Sequence, residues 1–187
     1  MKTILAALLI ATGLPAFADE AVPAHPQVVL ETTLGKLVLE LDGRRAPLTV
    51  RNFLRLVDAG FYDGTIFHRV IPGFMIQGGG YNRDLKLLEE KGGIPNESGN
   101  GLPNLRGTIA MARQDEPHTA MSQFYINVAD NKSLNPSSTR WGYAVFGYVI
   151  EGMEIADEIA EVPTAAAGPL PRDVPIAPIV VVKAYRQ

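Results

Sequence analysis

The first regular pattern along the chain is an alternation of apolar and polar positions. In Lys36–Asp42, leucine occupies every second position and charged side chains lie on the opposite face. Because successive side chains of a β-strand point to opposite faces of a sheet, this pattern predicts a half-buried strand. Val28–Thr32 is also strand-like, and Gly35 lies between the two segments, so they are predicted to pair as a hairpin.

Two segments have the apolar spacing of an amphipathic helix. In the first, apolar residues recur every three to four positions, at Val50, Phe53, Leu54 and Val57. Thr49 is predicted to cap this helix and Gly60 to end it. The second helix is predicted over Met153–Val162, and Pro163 ends it because proline has no backbone N–H to donate.

Short segments rich in β-branched and aromatic residues, separated by turn-forming residues, predict further strands. They are Thr65–Ile71, Phe74–Gln77, Gly107–Ala112, Gln123–Val128, Ala144–Val149 and Ile179–Tyr185. Five prolines between positions 163 and 178 predict a loop before the last strand. Many short strands with two isolated helices favour a mainly β fold, either a closed antiparallel barrel whose ends the helices cover or a sandwich.

The start of the chain has the pattern of a secretory signal peptide. Lys2 provides the positive charge, Ile4–Leu14 an apolar segment, and residues 16–18 an A-x-A cleavage site. The apolar segment is shorter than the roughly 20 residues of a membrane-spanning helix, so no membrane span is expected after cleavage. The prediction is a signal peptide over residues 1–18, a flexible leader over 19–27 and a single domain over 28–187.

Composition and charge exclude several kinds of chemistry and partner. The chain has no cysteine, which excludes disulfides, thiolate catalysis and cysteine zinc sites and is compatible with export to an oxidising compartment. Its formal net charge is −3 and it contains no basic block, so nucleic acid is not an expected partner.

Catalytic and metal-binding signatures of other protein classes are weak in this sequence. Ser122, His118 and Asp115 provide the residue types of a hydrolytic triad, but they lie on one short segment without a Gly-x-Ser-x-Gly turn. His25, His68 and His118 are far apart and lack the spacing of metal ligands. No metal or other cofactor is therefore expected.

The segment FHRVIPGFMIQGGG, residues 67–80, places Arg69 among apolar residues with no carboxylate within five residues on either side. The three glycines that close it are not followed by a phosphate-binding signature, which favours a turn or bulge with unusual backbone angles.

Three later segments are GTIAMAR at 107–113, SQFYINVADN at 122–131 and WGYAVFGYVIEG at 141–152. In this order and spacing, the four segments resemble the cyclophilin family of peptidyl-prolyl cis-trans isomerases. The likeness covers residues 28–186 and is strongest to single-domain periplasmic members of Gram-negative bacteria.

The resemblance implies a closed eight-stranded antiparallel β-barrel capped by two α-helices, with the active groove on its outer face. It implies that Arg69 is the catalytic arginine and that Gln77 and Phe74 belong to the same catalytic set. We expect Arg69 on the outer face within hydrogen-bond reach of Gln77, with no distant carboxylate occupying its donors. The substrate-binding residues that the resemblance implies are His68, Met75, Ala112, Arg113, Gln114, Gln123, Tyr125, Leu134 and Tyr143.

Three positions depart from the family's usual pattern. Tyr125 stands where phenylalanine is usual, which keeps an aromatic wall and adds a hydroxyl that needs a partner. Ser133 stands where many members carry a tryptophan or phenylalanine that grips the drug cyclosporin, so only weak cyclosporin binding is expected. Trp141 follows an insertion-like segment, Asn135–Arg140, and the sequence leaves open whether its ring replaces the missing one.

The expected reaction makes and breaks no covalent bond. Rotation about an Xaa-Pro amide is slow because resonance gives the C–N bond double-bond character, and a guanidinium donating near the proline nitrogen favours the twisted state. The sequence therefore predicts a cofactor-independent, monomeric, periplasmic isomerase that acts on proline-containing polypeptides and assists the folding of exported proteins. A proline-peptide binding module or chaperone with incidental or lost isomerase activity is the alternative, and a hydrolase built on Ser122 and His118 is a third hypothesis.

Overall fold

The structure is a computed structural model of the 187-residue chain and describes residues 22–88 and 92–187. The predicted signal peptide, residues 1–18, and the leader residues 19–21 lie outside the described residues. The remaining leader residues are attached to the domain, because Pro26 O accepts a hydrogen bond from Leu41 N at 2.9 Å and Ala24 O accepts one from Gly43 N at 2.9 Å. Within the two described ranges, no helix has the length and apolar character needed to cross a lipid bilayer.

The described part of the chain contains ten β-strands and two α-helices. The strands are β1 Gln27–Thr32, β2 Lys36–Leu41, β3 Thr65–Ile71, β4 Met75–Asn82, β5 Thr108–Met111, β6 Phe124–Asn127, β7 Val145–Glu151, β8 Thr164–Ala167, β9 Leu170–Pro175 and β10 Val181–Arg186. The helices are α1 Pro47–Asp58 and α2 Met153–Ala160, and a short 3-10 helix spans Lys132–Leu134.

Eight of the strands form one antiparallel sheet that nearly closes into a barrel. Their order is β10-β1-β2-β7-β5-β6-β4-β3. At the two edges, Phe67 N donates to Ile179 O at 2.9 Å and Gly64 N donates to Val181 O at 2.8 Å. The predicted fold, a mainly β eight-stranded antiparallel barrel with two helices, is confirmed.

Helix α1 packs its apolar face against the barrel core. All four apolar residues that the helical spacing identified are buried. The Phe53 ring lies 5.7 Å from the Phe124 ring and 5.1 Å from the Phe146 ring, measured between centroids, so the helix and two strands share one aromatic cluster. This burial, rather than helix propensity alone, holds the helix in place.

The N-terminus of α1 differs from the prediction that Thr49 caps it. The helix begins at Pro47, and Ala46 at the cap position makes no side-chain capping bond. The carboxylate of Glu97 accepts hydrogen bonds from Leu48 N at 3.1 Å and from Thr49 N at 2.8 Å. A distant carboxylate therefore satisfies the free N–H groups at the positive end of the helix, and Thr49 lies buried inside the first turn.

The prediction of a loop over residues 163–178 is wrong. Residues within it form a two-stranded antiparallel hairpin of β8 and β9, with Gly168 in the left-handed region at the turn (φ 52°). Proline is tolerated there because β8 and β9 pair only with each other, so each strand has one edge without ladder bonds. The hairpin lies beside β3 and forms one wall of the site described below.

Candidate active site

A row of residues on the outer face of the barrel forms the floor of a cleft. In the strand registers, Gln77 of β4 pairs with Tyr125 of β6, which pairs with Ala110 of β5, which pairs with Val145 of β7. Their neighbours along the strands, such as Ile126, point into the barrel core. Because strand side chains alternate between faces, the row that contains Gln77 and Tyr125 lies outside the core.

Most residues of this row belong to an apolar cluster that lines the cleft. Met75, Ala110, Tyr125 and Val145 form a buried cluster separate from the barrel core. Partly buried side chains pack against it, among them Phe74, Ala112, Leu134 and Tyr143. The cleft above has a volume of about 510 Å³, which lies within the range of small-molecule and peptide sites.

Arg69 lies at the edge of this pocket, opposite Gln77 in the β3–β4 register. Its Nη1 donates a long hydrogen bond to Gln77 Oε1 at 3.4 Å, and Gln77 Nε2 donates to Gln123 Oε1 at 2.9 Å. The Arg69 side chain is 41% exposed. The expected geometry, with Arg69 on the outer face within reach of Gln77, is confirmed.

The triple glycine continues β4 and bends it. Two extra residues lie in β4 between the Phe67–Gly78 pair and the Thr65–Asn82 pair, and Gly79 has φ 78°. A Cβ on Gly79 would lie 2.8 Å from the Tyr62 ring, and one on Gly80 would lie 2.5 Å from Gln123 Cδ. Of the turn and the bulge that the sequence left open, the structure shows a bulge within β4, which brings the backbone close to the Gln123 side chain.

Arg69 also lies near a carboxylate, contrary to expectation. Its Nε is 3.8 Å from Asp173 Oδ2 on β9. The distance is that of an ion pair without a direct hydrogen bond, and both side chains retain solvent contact. The sequence could not indicate this pair, because Asp173 lies in the proline-rich segment that was predicted to be a loop.

His68 precedes Arg69 and lines the same cleft in a neutral form. The residue is 3% exposed, and its ring lies 4.7 Å from the Tyr81 ring, centroid to centroid. Burial, and to a lesser extent the charge of Arg69, lowers the pKa of His68 to about 4. At neutral pH the cleft therefore holds one cation on this strand, not two.

The hydroxyl of Tyr125 has a buried partner. It donates to Asn104 Oδ1 at 2.7 Å, and the same oxygen accepts from Asn127 Nδ2 at 3.2 Å. Burial raises the pKa of Tyr125 well above its usual value, so the phenol remains a donor. Asn104, which is fully buried, was not identified from the sequence.

Arg113 organises a loop at the far side of the cleft. Its guanidinium donates to the backbone oxygens of Gln114 at 2.7 Å, Asp115 at 2.8 Å and Trp141 at 3.0 Å. It also lies over the Tyr143 ring, 4.8 Å from the centroid. These bonds fix the shape of the cleft wall that was predicted to hold substrate backbone.

The position of Trp141 answers the question that the sequence left open. Its side chain is exposed and its ring packs edge-on against the His118 ring, with centroids 5.3 Å apart. It lines a separate surface cavity of about 440 Å³. Trp141 does not line the main cleft and does not replace the ring that Ser133 lacks.

The hydrolase hypothesis is not supported by the geometry. Ser122 is buried, and His118 Nδ1 accepts a hydrogen bond from Asn96 N at 3.0 Å. A nucleophile and base need an accessible hydroxyl and a ring nitrogen free to accept its proton.

The structure brings all of the proposed site residues but one to the cleft. Those that line it are His68, Arg69, Phe74, Met75, Gln77, Ala112, Arg113, Gln123, Tyr125, Leu134 and Tyr143. Gln114 lines a neighbouring cavity of about 170 Å³ instead. Sequence reasoning missed Tyr81 and the hairpin residues Leu170–Asp173, which also line the cleft.

The chain is similar to known proteins of one family. Residues 27–185 match the family model described as cyclophilin type peptidyl-prolyl cis-trans isomerase. The chain is 50% identical over 181 residues to peptidyl-prolyl cis-trans isomerase A of Dickeya dadantii, covering 96% of this chain and 95% of that protein. It is 47% identical over 157 residues to isomerase B of Escherichia coli, covering 82% and 95% of the two chains.

Solved structures give the same result for the fold. A crystal structure of a cyclophilin type isomerase from Cryptosporidium parvum superposes with a TM-score of 0.71 at 28% identity, covering 87% of this chain and 98% of that one. A second structure of that protein, in the presence of the dipeptide Ala-Pro, has a TM-score of 0.70 at 29% identity and covers 86% and 98% of the two chains.

Proposed function

Because this chain belongs to the cyclophilin family and is a peptidyl-prolyl cis-trans isomerase, we propose that Arg69 catalyses rotation about Xaa-Pro bonds in its cleft. The observation that carries the proposal is the chain of contacts from Arg69 through Gln77 to Gln123 beside an apolar pocket. A solvent-accessible guanidinium that donates to Gln77 and lies beside an apolar pocket matches what the reaction requires.

The reaction requires stabilisation of a twisted amide and no nucleophile. The barrier to rotation is about 20 kcal/mol because the planar amide is resonance-stabilised. In the twisted state, the proline nitrogen becomes pyramidal and gains a lone pair that the planar amide lacks. An enzyme that binds this state better than either planar state accelerates the reaction in both directions.

Arg69 provides the electrostatic part of that preference. A guanidinium is a permanent cation, and that of Arg69 donates to the proline nitrogen or to the nearby carbonyl as resonance is lost. Gln77 and Gln123 orient it, so little reorganisation is needed in the transition state. Lowering the barrier by about 7 kcal/mol gives an acceleration of roughly 10⁵.

The pocket supplies the positioning. Phe74, Met75, Tyr125 and Leu134 enclose the pyrrolidine ring, and the Ala112–Gln114 segment holds the backbone of the preceding residue. The substrates in this proposal are proline-containing segments of unfolded polypeptides, bound by a monomer. The Ala-Pro dipeptide present with the Cryptosporidium relative has the chemistry that this pocket would accept.

A comparison of wild type with Arg69→Ala tests the catalytic role. NMR exchange spectroscopy on an Xaa-Pro peptide measures cis-trans interconversion directly, and Arg83→Ala is a control that removes an exposed arginine outside the cleft. We expect exchange cross-peaks with wild type and Arg83→Ala and their loss with Arg69→Ala. Equal rates for wild type and Arg69→Ala would refute the role of Arg69. Peptide shifts without exchange would instead support the binding-module hypothesis.

We also propose that the enzyme acts on exported proteins in the periplasm. The support is the signal-peptide pattern of residues 1–18 and the absence of cysteine. Expression of the full chain in a Gram-negative host, followed by fractionation and N-terminal sequencing, tests this. Periplasmic protein that begins at Asp19 is the expected result, and uncleaved protein in the cytoplasm would contradict it.

A further inference from the structure

Asp173 lies near a different nitrogen of the Arg69 guanidinium from the one that binds Gln77. Its Oδ2 is 3.8 Å from Arg69 Nε, whereas Gln77 Oε1 accepts from Nη1. A guanidinium is planar and has five N–H donors in a fixed fork, so the hydrogen bond at Nη1 and the nearby carboxylate at Nε together favour one orientation of the group. Among the described residues, Nη2 makes no hydrogen bond, so this nitrogen can donate to a substrate.

An irregularity in the pairing of β8 with β9 directs the Asp173 side chain toward Arg69. In the β8–β9 register, Ala165 pairs with Val174 and Ala167 pairs with Leu170, so one residue of β8 faces the three residues Pro171–Asp173 of β9. Asp173 has φ 63°, in the left-handed region. Bulges of this kind redirect a side chain, and a non-glycine residue with positive φ persists only where the surrounding structure fixes it.

The tip of the hairpin is fixed in turn by the rest of the domain. Gly168 lies so close to Leu85 that an added Cβ would be 3.0 Å from Leu85 Cδ1. At the base, Ile176 N donates to Pro163 O at 2.9 Å. The carboxylate of Asp173 is thus carried on a strand anchored at both ends, and its side chain is only 24% exposed.

We propose that Asp173 is a positioning residue for Arg69, which holds the guanidinium along its Nε edge and turns Nη2 toward the substrate amide. This inference rests on the proposed catalytic role of Arg69. Asp173 does not touch the reacting atoms, and its effect reaches the substrate only through Arg69. Arg172 Nε lies 3.6 Å from the same carboxylate, but its side chain is 78% exposed against 41% for Arg69, so solvent screens its attraction to Asp173 more strongly.

The variant Asp173→Asn tests this with little risk to the fold. Asparagine tolerates positive φ as well as aspartate does, and it keeps the size of the side chain while it removes the charge and replaces one acceptor oxygen with an NH₂ donor. We expect kcat to fall by about five-fold while KM changes by less than about two-fold, because a mobile guanidinium loses transition-state contacts before it loses ground-state binding. The control Asp84→Asn removes an exposed charge outside the cleft and should leave both constants unchanged. An unchanged or raised kcat in Asp173→Asn would overturn the proposal.

A second measurement separates positioning from a general structural effect. In an Arg69→Lys background, which has no Nε edge, Asp173→Asn should have no further effect on kcat. The same five-fold loss in that background would overturn the proposal.

The Arg69 Nε–Hε NMR signal gives a readout that does not depend on catalysis. We expect a sharp, dispersed resonance in wild type and a broadened or averaged one in Asp173→Asn. An unchanged signal would refute positioning even if the enzyme were active. If the wild-type protein had no isomerase activity, the proposed function would be contradicted. The Arg69 Nε–Hε signal would still show whether Asp173 positions the guanidinium.

Discussion

Gln123 lies directly against Gly80, and the absence of a side chain at Gly80 makes room for it. A Cβ at this position would come within 2.5 Å of Gln123 Cδ and Cγ and 2.6 Å of Nε2. The backbone of Gly80 is not in the left-handed region, so the constraint on this glycine is one of space. The contact links the glycine bulge to the hydrogen-bond chain that ends at Arg69.

Gly80→Ala should therefore impair catalysis more than folding. The new methyl group displaces the flexible end of Gln123, breaks its bond with Gln77 and loosens Arg69, so we expect kcat/KM to fall by about ten-fold. The free energy of unfolding should change by only about 1 kcal/mol, because a side chain moves and the backbone does not. The control Gly99→Ala adds a methyl group where nothing lies within 4 Å. Equal activity of the two variants would contradict the prediction.

Acid should destabilise the protein through His68. The folded-state pKa of about 4 lies below the ordinary value of 6.5, so the unfolded chain binds more protons between these pH values. The contribution of His68 to stability is complete above pH 6.5 and is lost as pH falls toward 4, by up to about 3 kcal/mol. Urea unfolding of wild type and His68→Gln between pH 7 and pH 5 measures this. The variant should have the shallower pH dependence, and parallel curves would contradict the assignment.

Removal of the charge at Glu97 should destabilise helix α1 without affecting the cleft. Glu97 accepts bonds from two N–H groups of the first turn and from the Thr49 hydroxyl at 2.7 Å. Glu97→Gln should lower the free energy of unfolding by about 1–2 kcal/mol, as for loss of an N-cap with its dipole interaction. The exposed Glu116→Gln is the control. Chemical denaturation measures the effect, and kcat/KM of the folded variant should equal that of wild type.

Tyr125→Phe should separate the packing role of this ring from its hydroxyl. The substitution keeps the aromatic wall of the pocket but removes the donor to Asn104, leaving that oxygen with the bond from Asn127. We expect a loss of about 1 kcal/mol in the free energy of unfolding and nearly unchanged kcat/KM. A large loss of activity would show that the hydroxyl takes part in catalysis.

Cyclosporin should bind weakly, and Ser133 should be the reason. Trp141 lies outside the main cleft, so its ring does not replace the one that Ser133 lacks. Ser133→Trp should tighten binding at least about ten-fold, since buried tryptophans are common anchors at interfaces. Trp141→Ala should have no effect. Calorimetric titration of wild type and both variants measures this, and weaker binding by Trp141→Ala would contradict the account.

Much of the fold follows from local patterns in the sequence. The leucine alternation of β2, the helical spacing of α1 and the glycine bulge of β4 each reflect side-chain or backbone geometry within a few residues. The motifs around Arg69, Gln77 and Gln123 also indicated which strands form the cleft. These features can be inferred from the sequence because the period of a strand or helix determines which residues share one face of it.

The tertiary structure alone decided which distant groups meet. Glu97 caps a helix that begins 50 residues earlier, Asn104 satisfies Tyr125, and Asp173 approaches Arg69 across 104 positions of sequence. Proline content predicted a loop where β8 and β9 form a hairpin, because pairing at an isolated edge tolerates proline. Hydrogen bonds and ion pairs of this kind depend on the closure of the barrel, and they produce no repeating pattern in the sequence from which they could be predicted. The sequence thus determined the barrel and most residues of the cleft, because these follow from local patterns and motifs, whereas the tertiary structure decided the hairpin wall of the cleft and the distant partners of its residues.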